Sequence, residues 1–116
     1  MQYMLLIYQT EGPGPQPGTP EFDTFMKGYM DFTGAMNEKG ILGAGDALQG
    51  IATATTVRVR DGKTETTDGP FAETKEQLGG FYLLDCKDLD EAIACAQRIP
   101  SVAHGSIEIR RVVVWE

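Results

Sequence analysis

Runs of apolar residues, separated by polar and glycine-rich segments, predict six strands in this chain. The first spans residues 2–9, where six consecutive apolar or aromatic residues predict a strand that is buried on both faces. Residues 41–52 are rich in glycine and predict only a short, irregular strand near 41–48. The other predicted strands cover residues 53–60, 63–67, 81–86 and 107–115.

The dipeptide Asp61-Gly62 lies between two alternating, β-branched runs. An Asp-Gly pair in this position is typical of a β-hairpin with a two-residue turn. Residues 11–20 contain alternating glycines and prolines, which fit neither a helix interior nor a central strand. We therefore predict a long loop after the first strand and a hairpin in the middle of the chain.

Two amphipathic helices are predicted, each with its own start and stop signals. The first begins after the N-cap Thr19, carries apolar residues every third or fourth position, and ends at Gly40. The second begins with a capping box formed by Asp88 and Glu91 and ends at Pro100. Its predicted apolar face consists of Leu89, Ala92, Ile93, Ala96 and Ile99.

The order strand, helix, strand, hairpin, strand, helix, strand is typical of a ferredoxin-like, split βαβ fold of the α+β class. Residues 1–116 would form one domain, in which both helices cover the same face of an antiparallel sheet. Met4, Leu6 and Tyr8 make the opposite face of the first strand apolar too, and no third helix is predicted to cover it. We therefore expect a homodimer whose sheets pack face to face.

Charge and composition exclude several kinds of partner. Ten Lys and Arg oppose seventeen Asp and Glu, and the net charge of −7 disfavours nucleic acid. No apolar run approaches the roughly 18 residues of a membrane span. The first strand has no basic n-region before it and no small-residue cleavage site, so we expect no secretory signal. Cys86 and Cys95 form no C-x-x-C motif, and a single histidine cannot complete a Cys/His zinc site. We expect a cytoplasmic protein with reduced thiols, without metal, and with no feature that requires a cofactor.

Residues 68–76, D-G-P-F-A-E-T-K-E, carry the most distinctive chemistry of the chain. Pro70 stiffens the turn after the hairpin, and Phe71 is expected to anchor the loop. Glu73, Thr74 and Lys75 then place polar groups side by side on a loop, where binding sites often form. A solvated turn whose charges pair with one another is the alternative.

This string resembles the signature of the DGPF group of the YCII-related family. The first strand, residues 54–62, 77–82, 88–92 and the ending near 107–110 resemble that family too, so the likeness covers nearly the whole chain. The resemblance implies a dimeric α+β barrel. It also implies enzymatic activity for some members, which share a His–Asp pair that does not map onto this sequence. A further implication of the resemblance is an association with extracytoplasmic-function sigma factors.

His104 is the only histidine, and so the only side chain whose ordinary pKa lies near neutrality. One interpretation makes it a general base oriented by the carboxylate of Asp68. In the alternative, His104 is an exposed loop residue and Asp68 forms an Asx-turn.

The candidate ligand-binding residues have alternative roles as well. Lys75 and Arg58, with Glu73 and Thr74 beside the lysine, can bind an anionic ligand, or they can belong to the solvated side of the hairpin and its loop. Tyr82 can line an aromatic pocket together with Trp115, or it can be a core residue.

Three functions follow from these candidates. The first is a metal-free acid–base enzyme that acts on a small anionic or aromatic metabolite between sheet and helices, through His104, Asp68 and Lys75. The second is a ligand-binding or sensory module that uses the same pocket without turnover. The third is a protein-interaction module, for instance with a sigma factor.

Overall fold

The computed structural model describes residues 1–12 and 14–115, so Pro13 of the predicted loop and the terminal Glu116 lie outside the described residues. Short 3₁₀ turns occur at Ile51–Thr53 and Pro100–Ala103. The regular elements in the described part of the chain are β1 (Gln2–Gln9), α1 (Pro20–Glu38), β2 (Leu42–Ala47), β3 (Thr55–Arg60), β4 (Lys63–Asp68), β5 (Gln77–Asp85), α2 (Leu89–Ala96) and β6 (Ser106–Arg111).

Four strands form one antiparallel sheet in the order β2-β5-β1-β6, and β3 and β4 form a separate hairpin. The two split βαβ units are β1-α1-β2 and β5-α2-β6. In this order β1 and β2 lie on either side of β5, and β5 and β6 lie on either side of β1. The prediction of an α+β, ferredoxin-like fold is thereby confirmed for the single chain. Within the described residues, neither helix combines the length and apolarity that crossing a bilayer requires.

The ends of α1 agree with the predicted signals. The Thr19 hydroxyl accepts a hydrogen bond from the Phe22 N–H at 3.2 Å, and Gly40 adopts a φ of +72° after the last turn. In α2 the Asp88 carboxylate accepts from the Glu91 N–H at 2.9 Å, while the Glu91 carboxylate accepts from the Lys87 N–H. The N-termini of both helices were therefore correctly predicted.

The end of α2 was wrongly predicted at Pro100. The helix ends at Ala96, because the N–H groups of Arg98 and Ile99 bond to carbonyls three residues back, those of Cys95 and Ala96, at 3.0 and 3.1 Å. Pro100 instead begins the 3₁₀ turn. The predicted apolar face of α2 also included too many residues, since the side chains of Leu89 and Ile93 are exposed.

The core lies between the helices and one face of the sheet. The buried side chains of β1 are Tyr3, Leu5 and Ile7, whereas Met4, Leu6 and Tyr8, which alternate with them, are only half-buried. Helix side chains pack against this inner face, and the cluster they form with β5 includes Phe32, Met36, Tyr82, Leu84, Ala92, Cys95 and Ala96. Both helices therefore cover the same face, as predicted.

Two strand boundaries differ from the prediction. β5 begins at Gln77 instead of residue 81, because Gly80 lies within the strand, where a Cβ would approach the Asp46 carbonyl to 2.9 Å. β6 ends at Arg111 instead of residue 115. The Val112 N–H bonds the Gln2 carbonyl at 2.9 Å, and β1 offers no partner beyond its own beginning.

The predicted hairpin is present, and Asp61 and Gly62 both adopt the positive φ that its two-residue turn needs. We call residues 55–68 the hairpin arm. Its hydrogen bonds to the rest of the described chain are few: the Thr56 hydroxyl donates to the Gly69 carbonyl at the base of the arm, and Arg58, in the middle of β3, donates to the Phe71 carbonyl at 3.5 Å. The Cα radius of gyration is 16.3 Å, against about 13 Å for a compact chain of this length, because the arm projects from the body.

Candidate functional site

A cavity of about 370 Å³ lies between the N-terminal half of α1 and the inner face of the sheet near β2 and β5. Its volume falls in the range of about 300–1,000 Å³ that is typical of small-molecule sites. We call it the helix–sheet cavity. Its lining side chains include Phe25, Met26, Tyr29, Thr33, Asp46 and Tyr82.

Aromatic rings form much of the cavity wall. Phe25 and Tyr29 lie one helical turn apart in α1 and meet edge to face, with ring centroids 5.2 Å apart. Tyr82 of β5 makes the same kind of contact with Phe32 at 4.9 Å. A wall of this kind favours a flat, apolar ring as the occupant.

Hydroxyl groups add a small number of polar positions to this wall. The Thr33 hydroxyl and the Tyr82 hydroxyl lie 3.1 Å apart and hydrogen-bond across from helix to sheet. The Tyr29 hydroxyl bonds the buried Ser101 hydroxyl. Burial raises the pKa of the Tyr29 hydroxyl, an effect that the bond to Ser101 opposes, so Tyr29 stays protonated at neutral pH.

Glycine at position 45 allows the sheet and a ring to approach closely. A Cβ there would lie 2.5 Å from a ring carbon of Tyr82. The side of the cavity next to β2 therefore depends on the absence of a side chain at this one position. Asp46, the next residue, is the only charged residue that contributes to the described lining.

A second, shallow depression lies beside the D-G-P-F segment, at the end of the sheet where β5 and β6 begin. It is open to solvent, has a volume of about 750 Å³, and is lined in part by Tyr8, Thr74, Lys75, Glu76 and Glu108. Lys75 forms no ion pair with any residue that the structure describes. Two carboxylates share the depression with this one ammonium group, so its charge does not favour an anion.

The segment is held in place by Gln77 and not by Phe71. The Gln77 amide is buried and donates to the carbonyls of Ala72 and Thr74, at 3.3 and 3.1 Å. Phe71 is 78% exposed, so the expectation that it anchors the loop was wrong. The Ser106 hydroxyl adds a contact from β6 by donating to the Glu76 carboxylate at 2.8 Å.

The two predicted catalytic residues, Asp68 and His104, form no hydrogen bond with each other within the described residues. Asp68 is exposed at the end of β4, and its carboxylate makes no hydrogen bond within the described residues, so it forms no Asx-turn either. His104 is exposed after the 3₁₀ turn, where its backbone N–H bonds the Ser101 carbonyl. Neither residue lines the helix–sheet cavity.

The predicted ligand-binding residues separate into three places. Thr74 and Lys75 line the shallow depression, with Glu73 exposed beside it. Arg58 lies on the arm and donates to the Phe71 carbonyl at 3.5 Å. Of the predicted set, only Tyr82 lines the helix–sheet cavity. Trp115 is 88% exposed beyond β6 and does not join it.

Sequence reasoning missed the other cavity residues. Phe25 and Tyr29 belong to the apolar stripe of α1, and such a stripe does not distinguish a cavity from a core, since both are lined by the same residue types. Gly45 lies in the segment with the weakest pattern. Among the described residues, no group of three or more His, Cys, Asp or Glu is placed to hold a metal ion.

Comparison with known proteins decides the family. The model of the YCII-related domain matches residues 1–116, which is the whole chain. This chain belongs to the YCII-related family. It is also 36% identical, over 118 residues, to the uncharacterized protein R00369 of Rhizobium meliloti strain 1021, and the match covers all of this chain and 95% of the relative.

A solved structure shares the fold of this YCII-related chain. It is the 5-chloro-2-hydroxyhydroquinone dehydrochlorinase TftG from Burkholderia phenoliruptrix AC1100, in complex with 2,5-dihydroxybenzoquinone. The TM-score is 0.52 over 97% of this chain and 94% of the other, at 13% sequence identity. At this identity the likeness extends to the fold alone.

Proposed function

We propose that this YCII-related protein binds a small, uncharged aromatic molecule in the helix–sheet cavity. The observation that carries the proposal is the combination of ring-lined walls with a few hydroxyl groups in a volume of about 370 Å³. The solved dehydrochlorinase supports it as an analogy, since a protein of the same fold was crystallised with a dihydroxybenzoquinone.

The charge of the lining favours an uncharged ligand. Asp46 is the only charged residue of the described lining, and an anion would meet no cationic partner there. Tyr29 remains protonated, so its hydroxyl can form hydrogen bonds without adding charge. The anionic metabolite considered from the sequence is therefore the less favoured ligand for this cavity.

The His104–Asp68 pair predicted for acid–base chemistry does not support turnover in this cavity. A general base must lie within hydrogen-bond reach of the proton that it removes, or one water away. His104 does not line the cavity, and no hydrogen bond joins it to Asp68 within the described residues. The acid–base enzyme remains the second candidate, because the hydroxyl groups of the cavity would also suit a quinol substrate.

The proposal includes a homodimer formed through the outer face of the sheet, which would complete the dimeric barrel. We call this surface the open face. No helix of the described chain packs on it, and its apolar side chains are only half-buried. They are Met4, Leu6, Tyr8, Leu78, Phe81 and Leu83. A second copy of the same face would bury them in a self-complementary contact.

Two further expectations belong to this proposal. A cytoplasmic location is supported by Cys86 and Cys95, which are buried and unpaired. The sigma-factor association that the family resemblance implied stays a prediction, which co-purification with tagged sigma factors would test.

The experiment for the cavity is a two-dimensional NMR titration with p-cresol and with hydroquinone. We expect saturable shifts at the amides of Phe25, Thr33, Gly45 and Tyr82, and smaller effects from benzoate at the same concentration. The test variant is Thr33→Val, which removes a cavity hydroxyl. Its matched control is Thr24→Val, which removes an exposed hydroxyl from the same helix. Shifts confined to other surfaces, or the absence of shifts with both neutral probes, would contradict the proposal.

A further inference from the structure

We infer that the hairpin arm is an interaction surface and that its partner is a second copy of this chain. The inference rests on the proposed homodimer and adds a contact to it. It follows from the apolar side of the arm, from the weak support that its own chain provides, and from the distribution of charge.

One side of the arm is exposed and apolar. Val57 and Val59 lie on the same side of β3, and 61% and 59% of their surfaces are exposed. Their cross-strand neighbours are Thr66 and Thr64, whose methyl groups extend the patch. Four β-branched side chains thus form a continuous surface that no described part of the same chain covers.

The arm lacks support within its own chain. A two-stranded hairpin alone is marginally stable in water. Within the described residues, the arm is joined to the residues that follow it by the Thr56 hydrogen bond at its base and by one long hydrogen bond of 3.5 Å from Arg58 in mid-strand, and all of β4 is exposed. An arm that projects about 20 Å, at about 3.3 Å for each of six residues, therefore needs a cover from elsewhere.

The open face alone is small for a stable dimer. Four strands spaced about 4.8 Å apart and paired over about six residues form a flat area of about 400 Å² before side-chain relief is counted. Stable interfaces bury about 800 Å² of solvent-accessible surface on each partner, a measure that includes the side-chain relief. The arm, with two strands of six residues each, would enlarge the contact.

Charge distribution favours a copy of this acidic chain as the partner. The arm carries three cations, Arg58, Arg60 and Lys63, and three anions, Asp61, Glu65 and Asp68. It is neutral, so the net charge of −7 lies on the rest of the chain. Two acidic bodies repel each other, whereas a neutral arm approaches the partner without this repulsion.

Hydrogen exchange combined with sedimentation tests the inference. Exchange of residues 55–68 is followed by mass spectrometry in the wild type, in Val59→Asp, and in the control Thr67→Asp, which puts the same charge on the opposite side of the arm. Leu6→Asp places a charge on the open face and is used to obtain a monomer. We expect protection of the arm in the wild type and in Thr67→Asp, and loss of it in Val59→Asp and Leu6→Asp. Val59→Asp should also weaken the dimer by about tenfold.

The possible outcomes separate the two proposals. An ordinary stable dimer has a dissociation constant of about 1 μM or below. A wild type that is still monomeric at about 100 μM, roughly 100 times that value, overturns the homodimer. A dimer whose arm exchanges freely, with an unchanged dissociation constant in Val59→Asp, overturns the arm contact and leaves the homodimer intact. Protection that persists in the Leu6→Asp monomer would mean that the arm is covered by its own chain, and would also overturn the inference.

Discussion

The hydroxyl groups of Thr33 and Tyr82 lie 3.1 Å apart and connect the middle of α1 to the middle of the sheet. The two residues are separated by 49 positions in the sequence and meet at the wall of the helix–sheet cavity. Because the bond is part-buried, it both supports the helix and defines which hydroxyl groups a ligand would meet.

Removing the tyrosine hydroxyl should therefore cost stability without disturbing the packing of the ring. Tyr82→Phe is expected to lower the free energy of unfolding by about 0.5–1.5 kcal/mol, the contribution of one hydrogen bond. Urea denaturation measures the change. Tyr3→Phe is the matched control, since Tyr3 is equally buried and its hydroxyl has no hydrogen bond within the described residues. An equal loss in both variants would show that the contact with Thr33 is not the cause.

A methyl group at position 45 should displace the Tyr82 ring. Its Cβ would lie 2.5 Å from a ring carbon, so Gly45→Ala is expected to cost about 1–3 kcal/mol and to weaken p-cresol binding. Gly34→Ala, in α1, has no atom within 4 Å of the added carbon and should stabilise the helix by up to about 1 kcal/mol. Thermal unfolding with and without p-cresol measures both effects. Unchanged binding in Gly45→Ala would place the ligand elsewhere.

The segment around Lys75 should depend on Gln77 for its order. Gln77→Leu removes two hydrogen bonds to the segment, so amide exchange of residues 70–76 should become faster and the free energy of unfolding should fall by about 1–3 kcal/mol. Lys75→Ala is the control, because Lys75 is exposed and should change stability by less than about 0.5 kcal/mol. Equal exchange rates in the wild type and Gln77→Leu would contradict this role.

Cys86 should make the protein less stable in alkali. Burial, followed by the neighbouring Cys95 thiol, raises the pKa of Cys86 from 9.0 to about 11. The unfolded chain therefore loses this proton at lower pH than the folded chain, and the contribution to stability is present below pH 9 and is lost as the pH rises toward 11. The slope is at most about 1.4 kcal/mol per pH unit.

Unfolding of the wild type and of Cys86→Ala between pH 8 and 11.5 isolates this effect, since the tyrosines and lysines titrate in both proteins. The stability difference between the two should narrow with rising pH. A difference that stays constant over this range would contradict the raised pKa.

Local signals determined the elements of this protein. Thr19 and Asp88 start the helices because each side chain satisfies an N–H group of its own first turn. Asp61-Gly62 makes the hairpin turn because these two residues tolerate positive φ. These interactions span a few residues, so the sequence contains all the information that they need. The element order then restricted the fold to a split βαβ arrangement.

The tertiary structure decided where elements end and which residues form a site. β6 ends at Arg111 because its partner strand, β1, begins at Gln2. The valines that follow Arg111 do not determine this end. Tyr29 and Tyr82 share a cavity because α1 crosses the sheet where Gly45 leaves room. Burial and cavity membership depend on contacts between residues that are distant in the chain, and a local pattern of apolar residues is the same whether the space beside it is filled or empty.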